Sequence, residues 1–263
     1  MTNYLTERPW WAGGIRLKKM NKRAAIIIAA LITVAGIAII AALFIQGIIK
    51  INTPSRAQYP VRGVDVSSYQ GIIDWEVLAS QDLQFAFIKA TEGSSHVDKY
   101  FDSNYREALK TGMRVGAYHF FSYDSAGETQ ADNFITTVPK VANMLPPVVD
   151  VEFYGDKLRN LPDKGDVTVN LTALLEKLTG HYGLKPIIYS TPKSYRLYIA
   201  GGYPDYGIWI RDVFFRPALP DKRSWTFWQF SDRGLLDGYQ GREKYIDLNV
   251  FYGSQQEFDA YLE

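Results

Sequence analysis

The chain has 263 residues, 29 Lys and Arg against 28 Asp and Glu, a formal net charge of +1 and no cysteine. The missing cysteine excludes disulfides and thiolate metal sites. The basic excess gathers near the N-terminus, and the remainder has no basic stripe of the kind that tracks nucleic acid.

Arg16, Lys18, Lys19, Lys22 and Arg23 precede an uncharged apolar run, Ala24 to Ile49, and Lys50 follows it directly. The run exceeds the ~20 residues that cross a bilayer. It also exceeds the ~7–15-residue apolar centre of a cleavable signal. Ile, Ala and Leu occupy every face of it, unlike the one-sided stripe of a core helix. Residues 24–49 are therefore expected to form one transmembrane helix, with the lipid bilayer as a partner. The positive-inside rule places the basic tail, residues 1–23, in the cytoplasm and the rest outside. The alternative is a secreted product, because Ser55-Arg56-Ala57 has small residues at suitable spacing for signal cleavage. Residues 50–60, polar with two prolines, read as a tether. Residues 61–263 are enough for one domain with a sizeable core.

In that domain short apolar runs alternate with amphipathic ones. Strands are expected at Val61 to Val66, Phe85 to Lys89, Arg114 to Phe120, Val148 to Glu152 and Pro186 to Tyr189. Three more follow at Gly207 to Arg211, Ser224 to Phe230 and Tyr245 to Val250, with little helix between them. Helices are expected at Asp74 to Ser80 with Asp74 as N-cap, at Asp102 to Lys110, at Ala126 to Val138 and at Val167 to His181. Gly112 and Gly183 stop the second and the last of these. The pattern is α/β, with a parallel sheet and helical crossovers. Eight strands in about 200 residues imply a closed (β/α) barrel short of helices in its last third.

In such barrels the chemistry gathers at the C-terminal strand ends. Those ends deliver Asp65, Glu92, His119, Asp150 with Glu152, Tyr189, Trp209, Gln229 and Asp247 to one rim. Asp150 and Glu152 are the informative pair. They lie two apart at the end of Pro146-Pro147-Val148-Val149, so alternation points both to one face, roughly 7 Å apart along the backbone. Two like charges on a buried strand are costly, and neighbouring carboxylates of unequal pKa are the usual equipment for cleaving a glycosidic bond. The alternative is a strand end whose acids are solvated or ion-paired. Glu92 is either a turn residue or a substrate contact, and His119 either a satisfied histidine or a sugar contact. Tyr118, Tyr189, Trp209 and Trp228 are stacking platforms or core, and alternation cannot turn all of them to the cleft. The three histidines lack metal-ligand spacing.

The phrases carrying these residues resemble glycoside hydrolase family 25, the lysozymes of the Chalaropsis type. They are GVDVSSYQGIIDW (Gly63 to Trp75), FIKATEG (ending at Gly93), GAYHFF (Gly116 to Phe121) and PPVVDVE (ending at Glu152). PIIYS (Pro186 to Ser190), WTFWQFS (Trp225 to Ser231) and IDLNVFYG (Ile246 to Gly253) follow in order. The resemblance spans about Val61 to Gly253. It implies an irregular eight-stranded barrel with about five helices, and cleavage of the β-1,4 bond between N-acetylmuramic acid and N-acetylglucosamine in peptidoglycan. It implies Glu152 as general acid, and Asp65, Asp150 and Asp247 as the other acids of the catalytic rim. For Asp247 a loop-start hydrogen bond to backbone is the alternative. Glu92, Tyr118, His119, Tyr189, Trp209, Trp228 and Gln229 are the candidate substrate contacts, and no metal or organic cofactor is expected.

One departure stands out. After Trp209 the family commonly continues with a small residue and then an aromatic, whereas this chain reads Ile210-Arg211-Asp212-Val213. No wall-binding repeat follows Gly253, so the membrane helix is expected to supply localisation. Two rival readings are a chitin-type glycosidase and a catalytically silent wall-binding scaffold. The first lacks its D-x-x-D-x-D-x-E run, since Val148, two before Asp150, stands where that run requires an acid. The second has no reason to keep four acids on one rim.

Overall fold

The computed structural model describes residues 21–46, 48–49 and 52–262. The chain divides into two compact units, Met1–Lys50 and Ile51–Glu263. In the first, helix α1 (Lys22–Ile45) is capped by Asn21, whose side chain accepts from the Arg23 amide, and none of its residues is buried. Its 24 residues are long and apolar enough to cross a membrane, a test that a signal sequence near the N-terminus also passes. The basic residues Arg16, Lys18 and Lys19, Gly47 of the expected span and Lys50 after it lie outside the described residues.

The second unit is a closed barrel. Its strands are β1 (Arg62–Val66), β2 (Phe85–Glu92), β3 (His96–Val97), β4 (Arg114–Phe120), β5 (Val148–Val151), β6 (Ile187–Ser190), β7 (Gly207–Arg211), β8 (Phe227–Gly234) and β9 (Ile246–Phe251). The order around the sheet is β1-β9-β8-β7-β6-β5-β4-β2, and β1 pairs again with β2 to close it. The two-residue β3 adds only a hairpin onto β2.

The helices are α2 (Trp75–Ala79), α3 (Phe101–Ala108), α4 (Gly127–Thr137), α5 (Lys164–Tyr182), α6 (Pro192–Ser194), running on into a π-helical turn at Tyr195–Ile199, and α7 (Gln255–Asp259). Asp74 caps α2 by accepting from the Val77 amide. Gly183 ends α5 at φ 73°, a left-handed conformation that glycine adopts without Cβ strain. Among the described residues no helix lies between Ile199 and Gln255, in keeping with the helix-poor last third.

The all-parallel expectation needs one correction. β9 runs antiparallel to both β8 and β1. The connection from Gly234 to Ile246 holds no crossover helix, and an antiparallel pair is the arrangement that a short connection permits. The stretch expected to be a tether is packed on the barrel from Asn52 onward. Asn52 Nδ2 donates to the carbonyls of Asp212 and Phe230, Arg62 donates to the Pro54 carbonyl, and Tyr59 is buried.

Two apolar layers follow from strand alternation. One lies between strands and helices. The other fills the barrel and includes Phe85, Phe87, Trp209, Phe227 and Phe251, with Phe258 of α7 joining it. Phe87 stacks on Trp209 at 4.7 Å between ring centroids. Gly116 on the neighbouring β4 makes room for Phe87, because a Cβ there would come within 2.6 Å of the ring. This aromatic plug is the floor on which the polar rim rests.

Candidate active site

Above the plug opens a cleft of about 520 Å³. Asp65, Asp150, Glu152 and Asp247 all line it, as do Glu92, Tyr118, Tyr189, Trp209 and Gln229. Asp65, Glu92, Tyr118, Asp150, Glu152 and Tyr189 come from the C-terminal part of a parallel strand or the residue after it, Trp209 from the middle of β7 and Gln229 from the third residue of β8. Asp247 is the exception in direction. That residue reaches the same rim from the start of β9, because β9 runs the opposite way.

Two candidates are elsewhere. His119 is fully buried, its Nδ1 2.7 Å from Thr91 Oγ1 and its Nε2 3.0 Å from Gln130 Oε1, edge-on to Phe134 of α4. Burial lowers its pKa to about 4, so it stays neutral. Trp228 packs among Tyr59, Trp225 and Phe230 and donates from Nε1 to the Asp212 carbonyl at 2.8 Å. One rule accounts for both corrections. Their neighbours Tyr118 and Gln229 take the barrel side, and alternation turns His119 and Trp228 outward.

Under the rim runs a buried polar chain. Trp209 Nε1 donates to Asn249 Oδ1 at 2.8 Å, and Asn249 Nδ2 donates to Asp65 Oδ1 at 2.7 Å. Gln229 Nε2 donates to the same carboxylate at 3.3 Å, and its Oε1 accepts from the Tyr189 hydroxyl at 2.7 Å. These bonds satisfy the buried polar groups and fix the Asp65 carboxylate, which an isolated buried acid could not sustain. Asn249 is the member that sequence reasoning missed, since it sits in an otherwise apolar strand stretch.

The acids are set by burial. Asp65 is pushed up to about 6, with the bonds from Asn249 and Asp247 opposing that rise. Asp247, directly across from Asp65 in the β1–β9 register, is held well above the usual carboxylate range by burial and by the charge of Asp65. Asp150 is raised strongly by burial and then by Glu152, while Lys89 opposes. Glu152 is raised by burial, against the opposing pull of Arg211 and of its hydrogen-bond contact with Tyr189. The Asp150–Glu152 pair is therefore disposed to hold a proton where ordinary carboxylates have lost theirs. Asp150 Oδ1 is buried and has no hydrogen-bond partner.

Sequence reasoning also missed Lys89, Tyr154, Arg211, Asp232 and Tyr245, all on the cleft wall. Lys89 bonds Glu92 at 2.8 Å and lies over the Phe120 ring. Arg211 bonds Asp232 at 2.7 Å, in the stretch where the sequence departs from the family pattern. Among the described residues no group of three or more His, Cys, Asp or Glu is arranged to hold a metal ion.

Comparison with known proteins agrees with the geometry. The sequence profile of glycosyl hydrolases family 25 matches residues 64–239. A solved family 25 glycosyl hydrolase from Bacillus anthracis is 57% identical, with a TM-score of 0.77 over 81% of this chain and 98% of that one. The uncharacterized protein YegX of Escherichia coli O157:H7 is 40% identical over 212 residues, 79% of this chain and 75% of its own length. Lysozyme M1 of Streptomyces globisporus is 31% identical over 210 residues, 74% of this chain and 68% of its own. The chain is a glycoside hydrolase and belongs to glycosyl hydrolases family 25.

Proposed function

We propose that this protein is a membrane-anchored muramidase that hydrolyses the β-1,4 bond between N-acetylmuramic acid and N-acetylglucosamine in peptidoglycan. The kinship with Lysozyme M1 supports the substrate class. Residues 24–49 hold the enzyme in the bilayer, and the barrel works on the outer side. One observation carries the chemical reading: Asp150 and Glu152, both raised by burial, share one open cleft, and one oxygen of Asp150 lacks a partner.

Glu152 serves as general acid and protonates the leaving oxygen, for which its carboxyl must hold a proton near neutral pH. Asp150 is the more deeply buried of the two and competes for that proton. Substrate reverses the order. The N–H of the 2-acetamido group donates to Asp150 Oδ1, which favours the charged form of Asp150 and leaves the proton on Glu152. The oriented acetamido oxygen then attacks the sugar carbon as the glycosidic bond breaks, and water opens the resulting ring in a second displacement. Charged Asp150 stabilises the positive charge that develops between the steps. Asp65 and Asp247 bind sugar hydroxyls and set the field around the pair.

Digestion of purified peptidoglycan, borohydride reduction and mass spectrometry test the bond assignment. Reduced muramic acid at the new ends is the expected result. Reduced glucosamine there would assign the enzyme to the other glycosidic bond.

A further inference from the structure

Acids outnumber bases around the cleft, whose two cations are Lys89 and Arg211. Lys89 is engaged by Glu92 at 2.8 Å. Arg211, at the end of β7, makes one side-chain hydrogen bond among the described residues, from Nη2 to Asp232 Oδ2 at 2.7 Å. Its side chain is 31% exposed. A guanidinium carries five donors in a planar fork that matches a carboxylate in two parallel bonds. Asp232 on β8 holds one arm and leaves donors of the fork available to the cleft.

A muramic acid polymer presents carboxylates to such a cleft. Each muramic unit carries one on its lactyl ether, or on a stem peptide joined there by an amide. A carboxylate brought into this cleft meets the charge of Asp65 and, with substrate bound, that of Asp150, and like-charge juxtaposition opposes binding. A positioned, partly desolvated guanidinium answers that repulsion directly.

We propose that Arg211, oriented by Asp232, is the cleft's receptor for the carboxylate carried by the muramic acid unit, on the lactyl group or on the attached stem. The inference rests on the muramidase reading and adds a substrate preference to it. A surface ion pair with only a structural role would affect all substrates alike.

The test uses three soluble glycans of alternating N-acetylglucosamine and N-acetylmuramic acid. One has free lactyl carboxylates, one has those groups as neutral methylamides, and one has a short stem ending in a free carboxylate. The full-length enzyme in detergent is assayed at one pH and low salt. Its kcat/KM on one of the acidic glycans is expected to exceed that on the methylamide by about tenfold. Whichever acidic glycan shows the preference identifies the source of the carboxylate. Arg211→Met should bring that ratio to about one, and Arg211→Lys should keep part of it, since charge remains while the fork is lost.

Arg211 also acts on Glu152 through its charge, so the variant's absolute rates mix two effects. A ratio taken within one variant removes that mixture and any difference in folded fraction. Arg211→Gln serves as the second neutral variant if Arg211→Met does not fold. A wild-type ratio near one, or a preference that survives in the neutral variants, would overturn the inference. Failure of the wild type to cleave any of the three glycans would instead remove the muramidase reading beneath it.

Discussion

Asp65 and Asp247 stand opposite one another in the antiparallel register of β1 and β9, and their carboxyl groups are hydrogen-bonded to each other. Two carboxyls can bond only when one of them carries a proton. Asp247, raised well above the usual range, is the donor, and Asp65, which also accepts from Asn249 at 2.7 Å, is the charged partner. The Asn249 bond stabilises the charged form of Asp65. Asn249→Ala should therefore raise the Asp65 titration above its value of about 6. Carbon-13 NMR of the labelled carboxyls measures this, and an unchanged or lowered midpoint would contradict the arrangement.

Asp150 links the site to stability. Its folded-state pKa is raised, so the folded state holds its proton over a range where the unfolded chain has lost it. The cost of charging it is absent below the ordinary carboxylate pKa of about 4 and grows as pH rises through the folded value. Asp150→Asn removes that cost. Its melting temperature should exceed that of wild type by a few degrees, about 2–6 °C, at pH 8, and the difference should vanish near pH 4. Turnover should fall at least ~10²-fold at every pH, because the charge is needed in the transition state. A variant less stable than wild type at pH 8 would show that Asp150 is not a strained charge.

The stereochemical course separates two routes to the same product. Attack by the acetamido group gives two displacements at one carbon, and the first-formed sugar is the β anomer. An inverting enzyme activates water from the far side with carboxyls ~6.5–9.5 Å apart and releases the α anomer. NMR of a soluble glycan digest in its first minutes is expected to show β. An α product would refute the acetamido route and assign the role of base to Asp65 or Asp247.

The membrane reading has its own test. With the basic tail inside, exposed lysines of the barrel such as Lys110 should react with a membrane-impermeant amine reagent in intact spheroplasts. Labelling only after permeabilisation would reverse the orientation. A mature chain beginning near Gln58 would show that residues 24–49 were a cleaved signal.

Much of this molecule is legible in its sequence because strands are short, apolar and punctuated. Val148 to Glu152 reads as a buried strand ending in acids, and β5 covers Val148–Val151 of it, all buried. The rim residues Asp65, Glu92 and Tyr189 follow from the strand ends alone, whereas Asp247 reaches the rim from the start of the reversed β9. His119 and Trp228 do not, because assigning a face requires the register to within one residue. The reversed β9 is also hidden, since residue composition does not record strand direction. Gln229 reads from the sequence as a rim residue, but only the bonds of Gln229 and Asn249 to Asp65 reveal the two as supports of that carboxylate. Arg211 was visible only as a break in a familiar phrase, and its ion pair with Asp232 on the next strand appears only once the barrel closes.

The proposed reaction turns on Glu152 as the proton donor. Glu152→Gln keeps the shape of the side chain but removes the proton it must deliver. Reducing-end release from purified peptidoglycan is the direct measurement, made at equal concentration of folded protein. The expected result is a rate lowered by about 10²–10⁴-fold with the melting temperature at or above that of wild type. A variant that retains activity within a few-fold of wild type would contradict the assignment and require another group in the cleft to protonate the leaving oxygen.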